Sequence, residues 1–200
     1  MSHKLDAVNR CLRAIGEAPV SSLSSGLPDA ESAAVLIDEV TKDVLSAGWH
    51  SNTDEGVVIT PDSKGEIQIP DTVLLIDTTG RSSIIDVTVR PDPNDGLLKL
   101  FDKDRQSFTF SDPLTVDIIH LFPFDDLPYA LRNYISAKAA RRFQEESISS
   151  VSLDNFVVRN ETEAWTKLLD YEDEVEDSNA LTDSAYMQYV TGRNGNIPWR

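Results

Sequence analysis

Residues 47–56 read AGWHSNTDEG, which sets Trp49, His50, Asp54 and Glu55 between two glycines. A histidine can act as a general base. Two carboxylates about 5–9 Å apart can cleave a glycosidic bond, and tryptophans form platforms for sugars. Asp54 and Glu55 are the candidate acid pair for a hydrolase of bacterial surface polysaccharide. Neighbours in sequence usually point apart, and aromatic residues make up only 8% of the chain. The remaining histidines, His3 and His120, lie far away in sequence, and no Gly-x-Ser-x-Gly elbow is present. Dinucleotide and Walker glycine patterns are also missing. The acidic clusters Asp92/Asp95 and Asp102/Asp104 lack the glycine and glutamate of a calcium loop, so they read as solvated turns. The expectation is therefore no catalytic residue, no metal and no cofactor.

The elements around AGWHSNTDEG explain it differently. Leu5, Val8, Leu12 and Ile15 form one helical stripe, closed by Gly16 and Pro19. Ala33, Ile37, Val40, Val44 and Ala47 form a second, over about 29–47, with Asp29 or its neighbour as cap and Gly48 as terminator. From residue 57 the rhythm turns to short β-branched runs between turn clusters such as PDSKG, DTTGRS and PDPNDG. About six mainly antiparallel strands are expected, including GEIQIP and IIDVTVR, with a long-looped hairpin at PDPNDG. Helical spacing returns in Leu131, Ile135, Ala139 and Phe143, with Asp126 as cap and Pro128 in the first turn. A last helix spans about 150–177, with the stripe Leu153, Val157, Ala164, Leu168, Tyr171 and Val175.

The fold class expected is α+β: N- and C-terminal helix pairs make a four-helix bundle, and a mainly antiparallel β region is inserted between them. The units are 1–56 (helix pair), 57–123 (β lobe), 124–190 (second helix pair) and 191–200 (extended arm). In this scheme Gly48, Trp49, His50 and Asn52 form the helix–sheet junction. Trp49 plugs the gap, and Asp54 and Glu55 belong to the turn entering the first strand.

Net charge is −16, from 34 acidic and 18 basic side chains. Such a surface repels phosphates, so the chain is not expected to grip nucleic acid; the charge serves solubility alone, or lines a passage through which DNA slides without sticking. An acidic mimic of DNA that blocks a host protein is another use of this charge. The single Cys11 forms no intramolecular disulfide and borders a core stripe. No apolar run reaches the ~20 residues of a membrane span, and no signal core opens the chain, so a soluble, unexported protein is expected. Between 161 and 177 lie eight acids and one lysine. Glu172, Asp173, Glu174, Glu176 and Asp177 crowd the C-terminal part of a helix, the end its dipole disfavours. They form a candidate acidic surface for a basic partner or for passing DNA. The arm ends in Ile197, Pro198, Trp199 and Arg200, an apolar tip suited to docking.

Four stretches taken together, AVNRCLRAIGEAPVSSL, AGWHSNTDEG, GEIQIP and LFPFDDLPYALRNYISAKAARRFQ, resemble the tail tubular protein A family of short-tailed bacteriophages. The resemblance runs from about residue 5 to about 170. It departs after His50, where Ser51 replaces an expected aromatic. It implies a structural virion protein: a dodecameric ring between the portal and the tail nozzle (tail tubular protein B). That ring extends the DNA channel and helps present the tail fibres, with no shared catalytic motif and no membrane role. It would be assembled in the host cytoplasm.

Overall fold

The computed structural model describes residues 2–147 and 151–183. Among these residues, four helices, α1 (His3–Ala14), α2 (Pro28–Leu45), α3 (Tyr129–Ser147) and α4 (Val151–Asp183), flank five strands. These are β1 (Thr53–Ile59), β2 (Val73–Thr78), β3 (Val87–Pro91), β4 (Leu98–Asp102) and β5 (Leu114–His120). The class is α+β. The expected helical stripes become one buried cluster, with Val8 and Leu12 of α1, Ile37 and Val40 of α2, Leu131 and Ile135 of α3, and Ala164 and Leu168 of α4. α3 packs against each of the other three helices, and α1 also packs against α2.

Helix ends follow local chemistry, with corrections. Gly16, at φ +84°, closes α1 while the Glu17 N–H reaches Leu12 O at 2.9 Å, a left-handed stop that favours glycine. The start of α1 is capped from across the molecule: Asp125 Oδ1 accepts the Lys4 N–H at 2.8 Å and Asp125 Oδ2 the Ser2 hydroxyl at 2.9 Å. Asp29 does not cap α2. Pro28 opens that helix instead, leaving Asp29 and Glu31 in its first turn. The helix stops at Leu45, so Leu45 is buried and Ala47 is exposed. Asp126 does not cap α3 either, because it belongs to a 3-10 turn (Phe124–Asp126) before Pro128. The Pro128 carbonyl takes the Arg132 N–H at 3.0 Å.

β5 is the centre of a three-stranded antiparallel sheet in the order β1-β5-β2, while β3 and β4 form a separate antiparallel hairpin. Residues 92–97 are the long loop of that hairpin, as PDPNDG suggests. Two expectations fail. β1 starts at Thr53, so Asp54 and Glu55 lie in the strand rather than before it. GEIQIP makes only single bridges, at Glu66 and Gln68, so five strands are found among the described residues. The segment still delivers Ile67 and Ile69 to a second core with Ile76, Leu100, Phe110, Val116 and Ile118. Helical and β residues thus bury two separate apolar clusters, and Trp49, Leu74 and Leu121 pack on the helical one from the sheet side.

Candidate functional site: the helix–sheet joint and its charged surroundings

The joint is built from the end of α2. Gly48 sits at φ +75°, and a Cβ there would lie 2.8 Å from Ile119 Cδ1 of β5. The conformation favours glycine, and a methyl there would also force the Ile119 side chain to shift. Trp49 then swings back, and its indole N–H donates to Val44 O at 2.7 Å. Its ring meets Trp165 of α4 edge-on at 5.8 Å, and Trp165 lies 4.9 Å from Tyr134 of α3. Through these contacts Trp49 joins the end of α2 to Trp165 of α4, and Trp165 to Tyr134 of α3.

Asn52 holds the joint. It is 1% exposed and ends a 3-10 turn, His50–Asn52. Its Nδ2 donates to Leu45 O at 3.0 Å and to His120 O at 2.7 Å, and its Oδ1 accepts the Trp49 N–H at 2.8 Å. One side chain thereby links the last turn of α2, the turn after it and the end of β5. A buried amide persists where its donors and acceptor are matched, and here they are.

His50 takes part through its backbone. Its N–H donates to Glu172 Oε2 at 2.9 Å, while its ring is exposed. Glu172 consequently departs from the expected acidic surface: it is 8% exposed and turned into the joint. The signal was present in the spacing, since Ala164, Leu168 and Glu172 follow at steps of four along one helix face. Asp173 and Glu174 are exposed. The side chains of Glu176 and Asp177, and all of Ile197, Pro198, Trp199 and Arg200, lie outside the described residues.

The polar pair that forms near the sheet is Asp54 with His120, not Asp54 with Glu55. His120 Nε2 stands 3.0 Å from Asp54 Oδ2, and the imidazole stacks on Phe122 at 5.7 Å. Strand pairing brings the two together across 66 positions, which no local pattern announces. Glu55 lies at a bulge in β1, where Asp117 Oδ1 accepts the Gly56 N–H at 2.8 Å. Among the described residues, no hydroxyl or thiol is hydrogen-bonded to a histidine ring, so the nucleophile–base contact of a triad does not form.

The acidic turns of the β lobe are also more than solvated loops. Asp92 is 3% and Asp102 2% exposed. Asp102 Oδ1 accepts the N–H groups of Asp104 and Arg105, at 2.9 and 2.8 Å. Glu66, Asp92 and Asp95 bring carboxylate oxygens within 4.8 Å of one another, a spacing that would suit a metal ion. The cation between them is Lys99, whose Nζ is 2.8, 2.6 and 2.7 Å from the three. Hydrogen bonds from Lys99 hold Asp92 and Asp95 below the usual carboxylate range and push the ammonium itself well above its ordinary value. Cys11 is fully buried, and burial pushes its thiol up to about 12.

Comparison with known sequences identifies the scaffold. The family model described as tail tubular protein matches residues 5–178. The chain belongs to the tail tubular protein family. Membership places it among the structural proteins of the bacteriophage tail. Tail tubular protein A of Klebsiella phage KP34 is 31% identical over 125 residues, covering 62% of this chain and 62% of that protein. The aligned stretch thus spans less than two thirds of this curated relative. The tail tubular match contains the joint, Glu172 and both buried clusters, so the features that first suggested a catalytic site fall within a structural family. Among the described residues, no helix is long and apolar enough to cross a membrane.

Proposed function

We propose that this tail tubular protein is the adaptor between head and tail of a short-tailed phage. Twelve subunits close into a ring between the portal and the tail nozzle protein, tail tubular protein B. The ring extends the channel for the genome during ejection and supports attachment of the tail fibre protein. The family match over residues 5–178 carries this reading. Two further features support it. A net charge of −16 suits a wall past which DNA slides without adhering. Separate helical and β cores give each subunit two unlike sides, as a ring closed by head-to-tail contacts requires.

In this reading, helices from 1–56 and 124–190 form a four-helix body and 57–123 a projecting lobe. Residues 191–200 are the arm that docks on the portal through Ile197, Pro198, Trp199 and Arg200. Asp173, Glu174, Glu176 and Asp177 present negative charge to a neighbour or to the channel. The role is structural rather than enzymatic, and assembly takes place in the host cytoplasm. A polysaccharide hydrolase is disfavoured because Asp54 is engaged by His120. The test is to mix the purified chain with its portal and view the product by electron microscopy. Portal rings capped by a second twelvefold ring are expected. Bare portals beside monomers would refute the adaptor role.

A further inference from the structure

The strongest unassigned feature is a basic groove on a strongly acidic molecule. A cavity of about 280 Å³ opens between α1 and α3, lined by Arg10, Arg13, Tyr129 and Arg132 among others. Asp6 is the one carboxylate among its described lining residues. Elsewhere on the helices, most cations pair with acids, Lys42 and Lys167 apart: Lys4 with Asp38 at 2.6 Å, Lys138 and Arg142 with Asp43 at 2.9 and 3.1 Å, Arg141 with Glu161 at 3.0 Å. Arg10, Arg13 and Arg132 have no carboxylate within 4.0 Å among the described residues.

Neutral acceptors place two of them. Arg10 Nη1 donates to Asn133 Oδ1 at 3.1 Å and to Asn133 O at 3.3 Å, and Arg132 Nη1 donates to Asp125 O at 3.1 Å. The guanidinium groups are thus oriented but not neutralised. Burial, with a smaller contribution from Arg13, holds Arg10 below the ordinary arginine value. Tyr129 stands at the rim, 75% exposed. Exposed tyrosine with pre-positioned arginines is the composition of protein-binding hot spots.

The complementary charge lies at the far end of the same chain. α4 has 33 residues and α3 has 19. At 1.5 Å per residue α4 is longer by about 20 Å. Glu172 already reaches the joint, and the helix continues to Asp183. Residues 173–183 carry five acids and no lysine or arginine.

We propose that the Arg10–Arg13–Arg132 groove receives the acidic end of α4, residues 173–183, from a second copy of this chain. The contact is head-to-tail, with different surfaces on the two partners, so repetition can close a ring. Guanidinium–carboxylate pairing in a half-buried groove also sets direction, since Arg forks orient the acids they bind. This contact rests on the ring reading and specifies its interface.

The test titrates a fluorescent peptide of residues 170–183 onto the full chain and follows anisotropy, with a scrambled peptide as control. Saturable binding is expected, preferring the native order. It should weaken roughly tenfold or more in the Arg13→Glu, Arg132→Glu variant, as expected when charge pairs are reversed. It should also weaken as salt rises from about 50 to about 300 mM. A peptide with lysine at 173, 174, 176 and 177 should recover binding to the reversed groove. Should that variant fail to fold by circular dichroism, Arg13→Ser with Arg132→Gln gives the same comparison. Absent binding, or equal binding to the native and altered grooves, overturns the contact. The ring is read separately, by mass photometry with the portal. Rings that form unchanged with the altered groove overturn the contact and leave the adaptor role standing. Peptide binding without rings supports the groove and overturns the adaptor role.

Discussion

Replacing Asn52 with alanine tests whether one buried amide holds the helices to the sheet. The substitution removes three hydrogen bonds, to Leu45 O, His120 O and the Trp49 N–H. Each contributes about 1 kcal/mol net, and a buried backbone group left unpaired adds further loss. The expected destabilisation is about 3–5 kcal/mol, allowing for partial rehydration of the exposed carbonyls. For a chain of this length each kcal/mol moves the melting midpoint by about 2–4 °C, so a fall of about 10 °C is expected. Urea unfolding followed by tryptophan fluorescence reads this directly, because Trp49 and Trp165 lie 5.8 Å apart beside the joint. Asn52→Asp separates the contributions. It keeps an acceptor for the Trp49 N–H but sets a carboxylate against two carbonyl oxygens, so it should be no better than alanine. A loss below about 1 kcal/mol for both variants would show that the joint is held by apolar packing and would refute the clamp.

Gly48→Ala should destabilise more than Gly16→Ala. Both residues have positive φ, but only Gly48 has a neighbour, Ile119 Cδ1, 2.8 Å from the added methyl; unfolding free energies from urea titration should differ by about 1–2 kcal/mol. Cys11 should resist a thiol reagent at pH 8 in the folded protein and react on unfolding, since burial holds its thiol at about 12; rapid native-state labelling would contradict its place in the core. The Lys99 cluster makes the β lobe acid-sensitive. Asp92 and Asp95 have folded values below the unfolded ~3.9, so their stabilisation is present above that value and lost as pH falls through the folded ones. Lys99 is raised, so its share is complete below ~10.4 and lost only as pH climbs through the higher folded value. Protection of β3 and β4 against hydrogen exchange, measured relative to the intrinsic rate at each pH, should therefore fall below about pH 4 and hold in mild alkali, with a flatter acid response in Lys99→Met. An unchanged acid profile in that variant would refute the latch.

Much of the scaffold was legible from spacing. Val8 with Leu12, Ile37 with Val40, and Leu131 with Ile135 are apolar at helical steps, and all are buried together. PDPNDG marked the hairpin loop, and Gly16 and Gly48 marked stops that the positive φ angles confirm. Less legible were features that depend on a partner. Asp126 looked like a helix cap, whereas its neighbour Asp125 caps α1, 121 positions away. GEIQIP reads as a strand but makes one isolated bridge to Lys99 of β4 and one to Thr109, contributing Ile67 and Ile69 while lacking a continuous ladder. Asp92 looked solvated because aspartate in a turn usually is, but Lys99 brings it a buried partner.

By itself, then, the sequence determined local periodicity, chain reversals, net charge and the class of the protein, because each depends on residues within a few positions or on composition. Only the tertiary structure decided which polar groups meet. It set Asp54 against His120, turned Glu172 from the acidic surface into the joint, and gathered Arg10, Arg13 and Arg132 around one groove. The physical reason is that electrostatic and hydrogen-bond partners are chosen by distance in space. Strand register and helix packing set that distance, and neither is written in the spacing of a single segment.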